Sequence, residues 1–313
     1  MTDREEFLWV EKFRPHTVSD CVLPVDLKKV FQGFVDQENI PNLLLSGPPG
    51  TGKTTVAKAM VDQIGSNYLF INGSLDVGKD TLRNDIRNFA SSVSFVGGRK
   101  YVIIDEADYL HATNVQPALR AFMEEFSSNC GFILTCNYPQ RIIKELHSRM
   151  KLIGFKFAAE DKPALAMDMM GRVKIILNSE KITFDDKVLA QVIMKNFPDM
   201  RKTIGELQTY GQTNGKLDVG ILKQTVDHNY TALVAGLKAK KYQEVRKWVN
   251  ENEIDSDFYR GCWDNLSAFV KDETIPELVV LTADYQYKSV FAVDIEVNAL
   301  AYLAEVMRDV NFK

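Results

Sequence analysis

The amino-acid sequence predicts a wound α/β module with a parallel sheet and flanking helices, followed by two helical segments. Three observations predict it. The runs NLLLS, YLFI, YVIID, GFILTC and KLIGFKF punctuate the chain up to residue 157, and several are apolar throughout. Strands of a parallel sheet, buried on both faces, read this way. Helical patterns separate the runs, which makes βαβ units. From Glu160 onward the pattern turns helical, with apolar residues at three-to-four spacing.

The segments DDKVLAQVIMKN and DMRKTIGELQTY carry that spacing, and TNGKLD and HNYT are the breaks that follow. Beyond Tyr230 the segments ALVAGLKAKKYQEVRKWVN, DFYRGCWDNLSAFV and AVDIEVNALAYLAEVM give further helices. The expected domains are therefore an α/β domain over residues 1–157, a helical domain over 158–229 and a second helical domain over 230–313. A chain of 313 residues suits this division, since domains run to roughly 100–200 residues.

Composition narrows the class. The chain is 45% hydrophobic and 26% charged, as ordinary globular proteins are. No apolar run nears the ~20 residues of a membrane span. The start MTDREEFLWVEKFRP lacks the basic-then-apolar order of a signal peptide. Cys21, Cys130, Cys136 and Cys262 form no CxxC pair and read as reduced thiols of a cytoplasmic protein. His16, His111, His147 and His228 are equally dispersed, which argues against a metal site built on them. A net charge of −4 argues against nonspecific coating of nucleic acid but leaves room for a local basic surface.

The most specific motif follows the first strand. Gly47-Pro48-Pro49-Gly50-Thr51-Gly52-Lys53-Thr54 opens a helix and forms a Walker A phosphate loop. Its glycines let backbone N–H groups turn inward on phosphate oxygens, and the helix adds its positive end. Lys53 is placed to reach the β- and γ-phosphates and Thr54 to hold Mg²⁺. The strand YVIID ends in Asp105 and Glu106. Ligands bind at the carboxyl ends of such strands. Asp105 is expected on the metal side, and Glu106 as the general base that orients and deprotonates water.

Taken in order, the motifs resemble a family. WVEKFRP (9–15), GPPGTGKT (47–54), NGS with GKDTLR (72–83), IIDEAD (103–108), VQPALRAFME (115–124), TCNYPQRIIKELHSR (135–149) and FPDMRKTIGEL (197–207) resemble the ATPase subunits of replication sliding-clamp loaders. These belong to the AAA+ superfamily, and the likeness is greatest to the T-even-like bacteriophage type. The chain has no four-cysteine insert between the Walker segments, unlike the bacterial chromosomal loader.

The resemblance implies an ATP- and Mg²⁺-dependent hydrolase stimulated by DNA and clamp. Its alternatives are a nucleotide-binding scaffold that does not hydrolyse, or another AAA+ DNA remodeller. It implies that Asn137 is sensor 1, bonding the γ-phosphate and the attacking water, and that Arg201 is sensor 2 on a lid. It implies that Val10, Glu11, Lys12, Phe13 and Val22 line the adenine pocket, and that Gly50, Thr51, Gly52, Lys53, Thr54 and Thr55 hold the phosphates. It implies that Arg149 is an arginine finger serving the ATP of a neighbouring copy. The family's usual Ser-Arg-Cys reads Ser-Arg-Met here, with Met150 third.

Two helices are implied to face DNA, one with Lys79, Arg83 and Arg87 and one with Gln116 and Arg120. The implied partners are a sliding clamp, primer–template DNA, further copies of the chain and a non-ATPase loader subunit, in a ring of five. The segment after Tyr230 is implied to be the collar of that ring. The implied location is the cytoplasm, that of the host if the protein is phage-encoded, with no membrane contact.

Overall fold

A computed structural model describes residues 7–75, 79–92, 98–224, 230–252, 254 and 258–313; the side chains of residues 79–83, 223 and 224 lie outside that description. Contacts divide the chain into two compact units, Met1–Leu222 and Lys223–Lys313.

The first unit begins with α1 (Trp9–Lys12), α2 (Val25–Asp36), β1 (Leu43–Ser46), α3 (Lys53–Ile64), β2 (Tyr68–Asn72) and α4 (Lys79–Ser91). It continues with β3 (Lys100–Asp105), α5 (Val115–Glu125), β4 (Cys130–Cys136), α6 (Lys144–His147) and β5 (Lys151–Gly154). The five strands fall on the five apolar runs and form one sheet of order β2-β3-β4-β1-β5, parallel throughout. The expected α/β module is therefore present.

The pleat sorts side chains by parity. Leu44, Val102, Ile104, Phe132 and Leu134 face one core, shared with Ile86 of α4, Leu119 of α5 and Leu146 of α6. Leu43, Leu45, Tyr101, Ile103, Ile133 and Ile153 face the other, shared with Phe31 of α2 and Val56 and Met60 of α3. A strand covered on both sides has no polar face to show, which is why these runs carry no alternation. The run KLIGFKF stops early as a strand. Pairing to β1 ends at Gly154, and Phe155 and Phe157 turn onto the α2–α3 core instead.

The helical part of the first unit comprises α7 (Lys162–Ser179), β6 (Thr183–Phe184), α8 (Asp186–Asn196), α9 (Met200–Asn214), β7 (Lys216–Leu217) and the start of α10 (Gly220–Gln224). The Asp185 carboxylate accepts the Lys187 N–H and the Asp199 carboxylate accepts the Lys202 N–H, so both helices start on an acidic cap. Their apolar faces close a core of Val173, Ile176, Leu177, Leu189, Val192 and Leu207.

Trp9 joins that core from the other end of the sequence and is 1% exposed. Its N–H donates to Gln208 Oε1 at 2.9 Å, and Gln208 Nε2 donates to the Phe7 carbonyl at 2.8 Å. Helix α1 precedes the sheet in the chain but packs with the helical part.

The second unit holds α11 (Tyr230–Lys238), α12 (Tyr242–Glu251), α13 (Phe258–Leu266), α14 (Ile275–Ser289) and α15 (Ile295–Asp309). An aromatic core of Trp248, Phe258, Tyr259 and Tyr302 joins them. The run ALVAGLKAKKYQEVRKWVN is two helices, broken where Lys240 takes a left-handed φ of +53°. Helix α14, which the sequence reading passed over, starts with Pro276 in its first turn. No helix among the described residues is long and apolar enough to cross a membrane.

Replacing a buried Trp by Ala leaves a cavity costing about 3–5 kcal/mol. Trp9→Ala is expected to lose that much, with urea unfolding as the measurement. A loss under about 1 kcal/mol would show that the Trp9 seat can collapse without cost.

Candidate active site

The carboxyl ends of β1, β3 and β4 lie at one edge of the sheet, and the phosphate loop springs from β1 there. Gly50 and Gly52 have left-handed backbones, with φ of +72° and +90°, which fold the loop back ahead of α3. A cavity at this edge is lined by Gly50, Thr51, Gly52, Lys53, Thr54, Thr55, Asp105, Glu106, Asn137 and Arg201.

Lys53 is 8% exposed and uses all three of its N–H donors. It donates to the carbonyls of Gly47 and Pro48, both at 2.7 Å, and to Asn137 Oδ1 at 2.9 Å. The loop lysine and the Asn137 amide are therefore in direct contact. Burial lowers the pKa of the ammonium from its ordinary value, and the charge of Asp105 opposes that shift. The loop's own carbonyls thus hold this charge in place at the cavity.

Asp105 lies across from the loop. Thr54 Oγ1 donates to Asp105 Oδ1 at 2.6 Å, and Thr135 Oγ1 donates to the same oxygen. One hydroxyl and one carboxylate in contact make a hard oxygen donor pair that fits Mg²⁺, which takes few protein ligands and keeps its waters. Glu106 sits beside them with φ +54°, and its N–H donates to Thr135 Oγ1 at 3.2 Å. A non-glycine residue in the left-handed region is uncommon and clusters at functional sites.

Two residues of this cluster escaped the sequence reading. Thr135 is 1% exposed and joins Asp105 to Glu106. Its signal was the one hydroxyl inside an otherwise apolar strand. Asp108, 5% exposed, accepts the backbone N–H groups of Asn137 at 3.2 Å and Tyr138 at 3.1 Å. It fixes the turn that carries Asn137. Its signal was the last Asp of IIDEAD, which reads as an ordinary exposed acid.

At the other end of the cavity Val10, Phe13 and Val22 are brought together with Leu165, Met169 and Ile204. Glu11 and Lys12 do not line it. Arg14 donates to Glu11 through Nε at 3.0 Å, and Lys12 pairs with Glu180 at 2.6 Å. Both side chains serve α1 and its neighbours. The Arg201 side chain makes no hydrogen bond or ion pair with the described residues and lines the cavity from α9.

Arg149 does not line the cavity of its own chain. It donates to Glu124 Oε1 through Nε at 2.8 Å and through Nη2 at 2.5 Å, and to the Glu145 carbonyl through Nη1 at 3.0 Å. On α5, Arg120 is exposed, whereas Gln116 is 1% exposed and faces inward, contrary to expectation. Gln116 donates to the Leu110 and Arg141 carbonyls and accepts the Ile143 N–H, which consumes its amide. Arg87 on α4 pairs with Glu125 at 3.7 Å. The Lys79 and Arg83 side chains lie outside the described residues.

Residues 43–156 match the ATPase family associated with various cellular activities (AAA), and residues 161–223 match the AAA+ ATPase lid domain of the sliding-clamp-loader large subunit. The chain is 39% identical over 264 residues to the sliding-clamp-loader large subunit of Enterobacteria phage T4, covering 83% of this chain and 82% of that protein. The chain belongs to the sliding-clamp-loader family of AAA ATPases. The corresponding subunit of Escherichia phage RB69 is 37% identical, over 87% of this chain and 85% of its own length. The replication factor C small subunit of Sulfolobus acidocaldarius is 31% identical, over 96% of both chains. This clamp-loader chain is an ATPase with the family's lid.

Two thiols border its cavity. Burial pushes Cys21 up to about 12, with Lys28 opposing. Burial first, and then the charge of Asp108, push Cys136 up to about 12. A raised folded-state pKa adds stability below the ordinary value of 9.0, and that stability is lost as pH climbs from there to about 12. Both thiols are therefore expected to resist a thiol-titrating reagent at about pH 8 in the folded chain and to react in denaturant. Fast reaction of either without denaturant would contradict the burial.

Proposed function

We propose that this chain binds and hydrolyses ATP to open a sliding clamp and place it on primer–template DNA. Lys53 and the loop N–H groups hold the phosphates, with Thr51 and Thr55 beside them, and Arg201 meets them from the lid. Val10, Phe13 and Val22 hold the base, with the backbone of Glu11 and Lys12 behind them. Thr54 and Asp105 hold Mg²⁺, which when bound neutralises charge on the β- and γ-phosphate oxygens. Glu106 takes a proton from water, and Asn137 orients that water against the γ-phosphate. The observation that carries this reading is the contact of Lys53 with Asn137 beside the contact of Thr54 with Asp105. Two groups at the start of α3 each meet a group at the end of a strand, in two hydrogen-bonded pairs that line one cavity.

Arg149 acts in trans. Its cation stands outside its own cavity, which suits a finger that meets the ATP of the next copy. Its pairing with Glu124 is a surface ion pair worth roughly 0–1 kcal/mol, so exchange onto a phosphate costs little. Lys79, Arg83 and Arg120 track DNA phosphates, and residues 230–313 join the copies into a five-membered ring with a non-ATPase subunit. In this division residues 1–157 are the ATPase domain and 158–229 the lid. The work takes place in the cytoplasm, that of the host for a phage protein.

Phosphate release in the presence of clamp and primer–template tests the reading, and a rate unchanged by both partners would sink it. Arg149→Ala is expected to keep ATP binding and to lose stimulated hydrolysis by about 10³-fold or more. Survival of that rate within a factor of about two would leave Arg149 a plain surface arginine. Lys79→Ala combined with Arg83→Ala is expected to blunt DNA stimulation and flatten its salt dependence. Unaltered stimulation would remove both from the DNA surface.

A further inference from the structure

Helix α9 meets the phosphate loop through contacts that involve no nucleotide. The Met200 N–H donates to the Gly50 carbonyl at 3.1 Å. The Asp199 carboxylate lies against Gly50 so closely that a Cβ at that glycine would stand 1.9 Å from Oδ1. The same Oδ1 accepts the Lys202 N–H at 2.8 Å, and the Asp199 carbonyl accepts Thr203 Oγ1 at 2.8 Å. One oxygen therefore caps the helix and touches the loop. Two residues on, Arg201 lines the cavity.

We propose that Asp199 is a positioning residue that seats the first turn of α9 on Gly50 and so holds Arg201 at the phosphates. The proposal rests on the reading of Arg201 as a phosphate contact. An arginine side chain carries about 2 kcal/mol of rotamer entropy, so a guanidinium reaches a fixed target efficiently only from a fixed root. The Met200 bond and the Asp199 contact fix that root to the loop that holds the phosphates.

The charge of Asp199 is no asset for binding an anion, since a carboxylate repels phosphate at this range. What offsets it is the positive end of α9, whose Lys202 N–H it caps. Gly50 completes the fit, because its left-handed backbone and missing side chain leave the space that the carboxylate fills. Lid and loop are thus coupled through the loop's own backbone, in addition to whatever Arg201 does.

A plain helix cap is the competing account, and three substitutions separate the two. Asn keeps both the cap and the reach to Gly50. Ser keeps the cap but is shorter. Ala keeps neither. The measurements are KM and kcat for ATP in the full chain assembled with clamp and primer–template, together with the melting temperature.

Asp199→Ala and Asp199→Ser are both expected to raise KM for ATP by about tenfold, with kcat changed much less. Asp199→Ser is expected to keep the native melting temperature, and Asp199→Asn to keep the native KM. Asp199→Ala combined with Arg201→Ala is expected to be no worse than Arg201→Ala alone, since both remove one interaction. If Asp199→Ser has the native KM, the residue is only a cap and the proposal falls. Additive losses in the double variant overturn it too. Should Asp199→Ala not fold, the Ser and Asn variants carry the test. If Arg201→Ala itself leaves KM unchanged, the assignment of Arg201 fails, and the proposal fails with it for that separate reason.

Discussion

The buried ammonium of Lys53 is the constraint on which the rest of the site depends. A charge 8% exposed must be satisfied inside the protein, and here two loop carbonyls and the Asn137 amide satisfy it. That requirement shapes the phosphate loop before any phosphate is present. It also draws the end of β4 to the loop after β1. The neighbouring contact of Thr54 with Asp105 does the same for the end of β3. The strand order places β4 between β1 and β3, so the three carboxyl ends stand side by side, and the cluster closes with little adjustment.

Around that cluster the positioning groups are small, polar and buried. Thr135 spans Asp105 and Glu106, and Asp108 pins the turn of Asn137 through two backbone N–H groups. Each costs desolvation and is compensated by hydrogen bonds to groups that must not move. A site that acts on developing charge benefits from dipoles fixed in advance, since none has to reorient during the reaction. Glu106, held with φ +54° at the end of its strand, follows the same logic.

The helical part of the first unit reaches the cluster along two routes. Trp9 and Gln208 bind α1 to the core of that part, which anchors the segment carrying Val10 and Phe13 there. Met200 and Asp199 bind α9 to Gly50. The cavity is therefore lined at both ends by groups anchored to the helical part of the first unit. Arg149 lies outside this circuit, on the strand-five side of the sheet and paired to α5.

Much was determined by the sequence alone. The five apolar runs located the five strands of the large parallel sheet, because strands buried on both faces leave no polar positions to blur the pattern. The Walker A loop and the Asp105–Glu106 pair were legible because phosphate chemistry demands fixed residue types at fixed spacing. Other features were decided only by the tertiary structure. Contacts such as Trp9 with Gln208, or Asp199 with Gly50, join residues about 200 and 150 positions apart, and no local pattern reports such distances. Gln116 looks like a surface residue of an amphipathic helix, yet it is buried, because polar groups on a neighbouring turn need its amide. Lys240 breaks an apparently continuous helix, since helical spacing shows which face is apolar and not where the backbone turns left-handed. Sequence periodicity records how each element meets its core; which polar side chains meet each other is settled only when the elements pack.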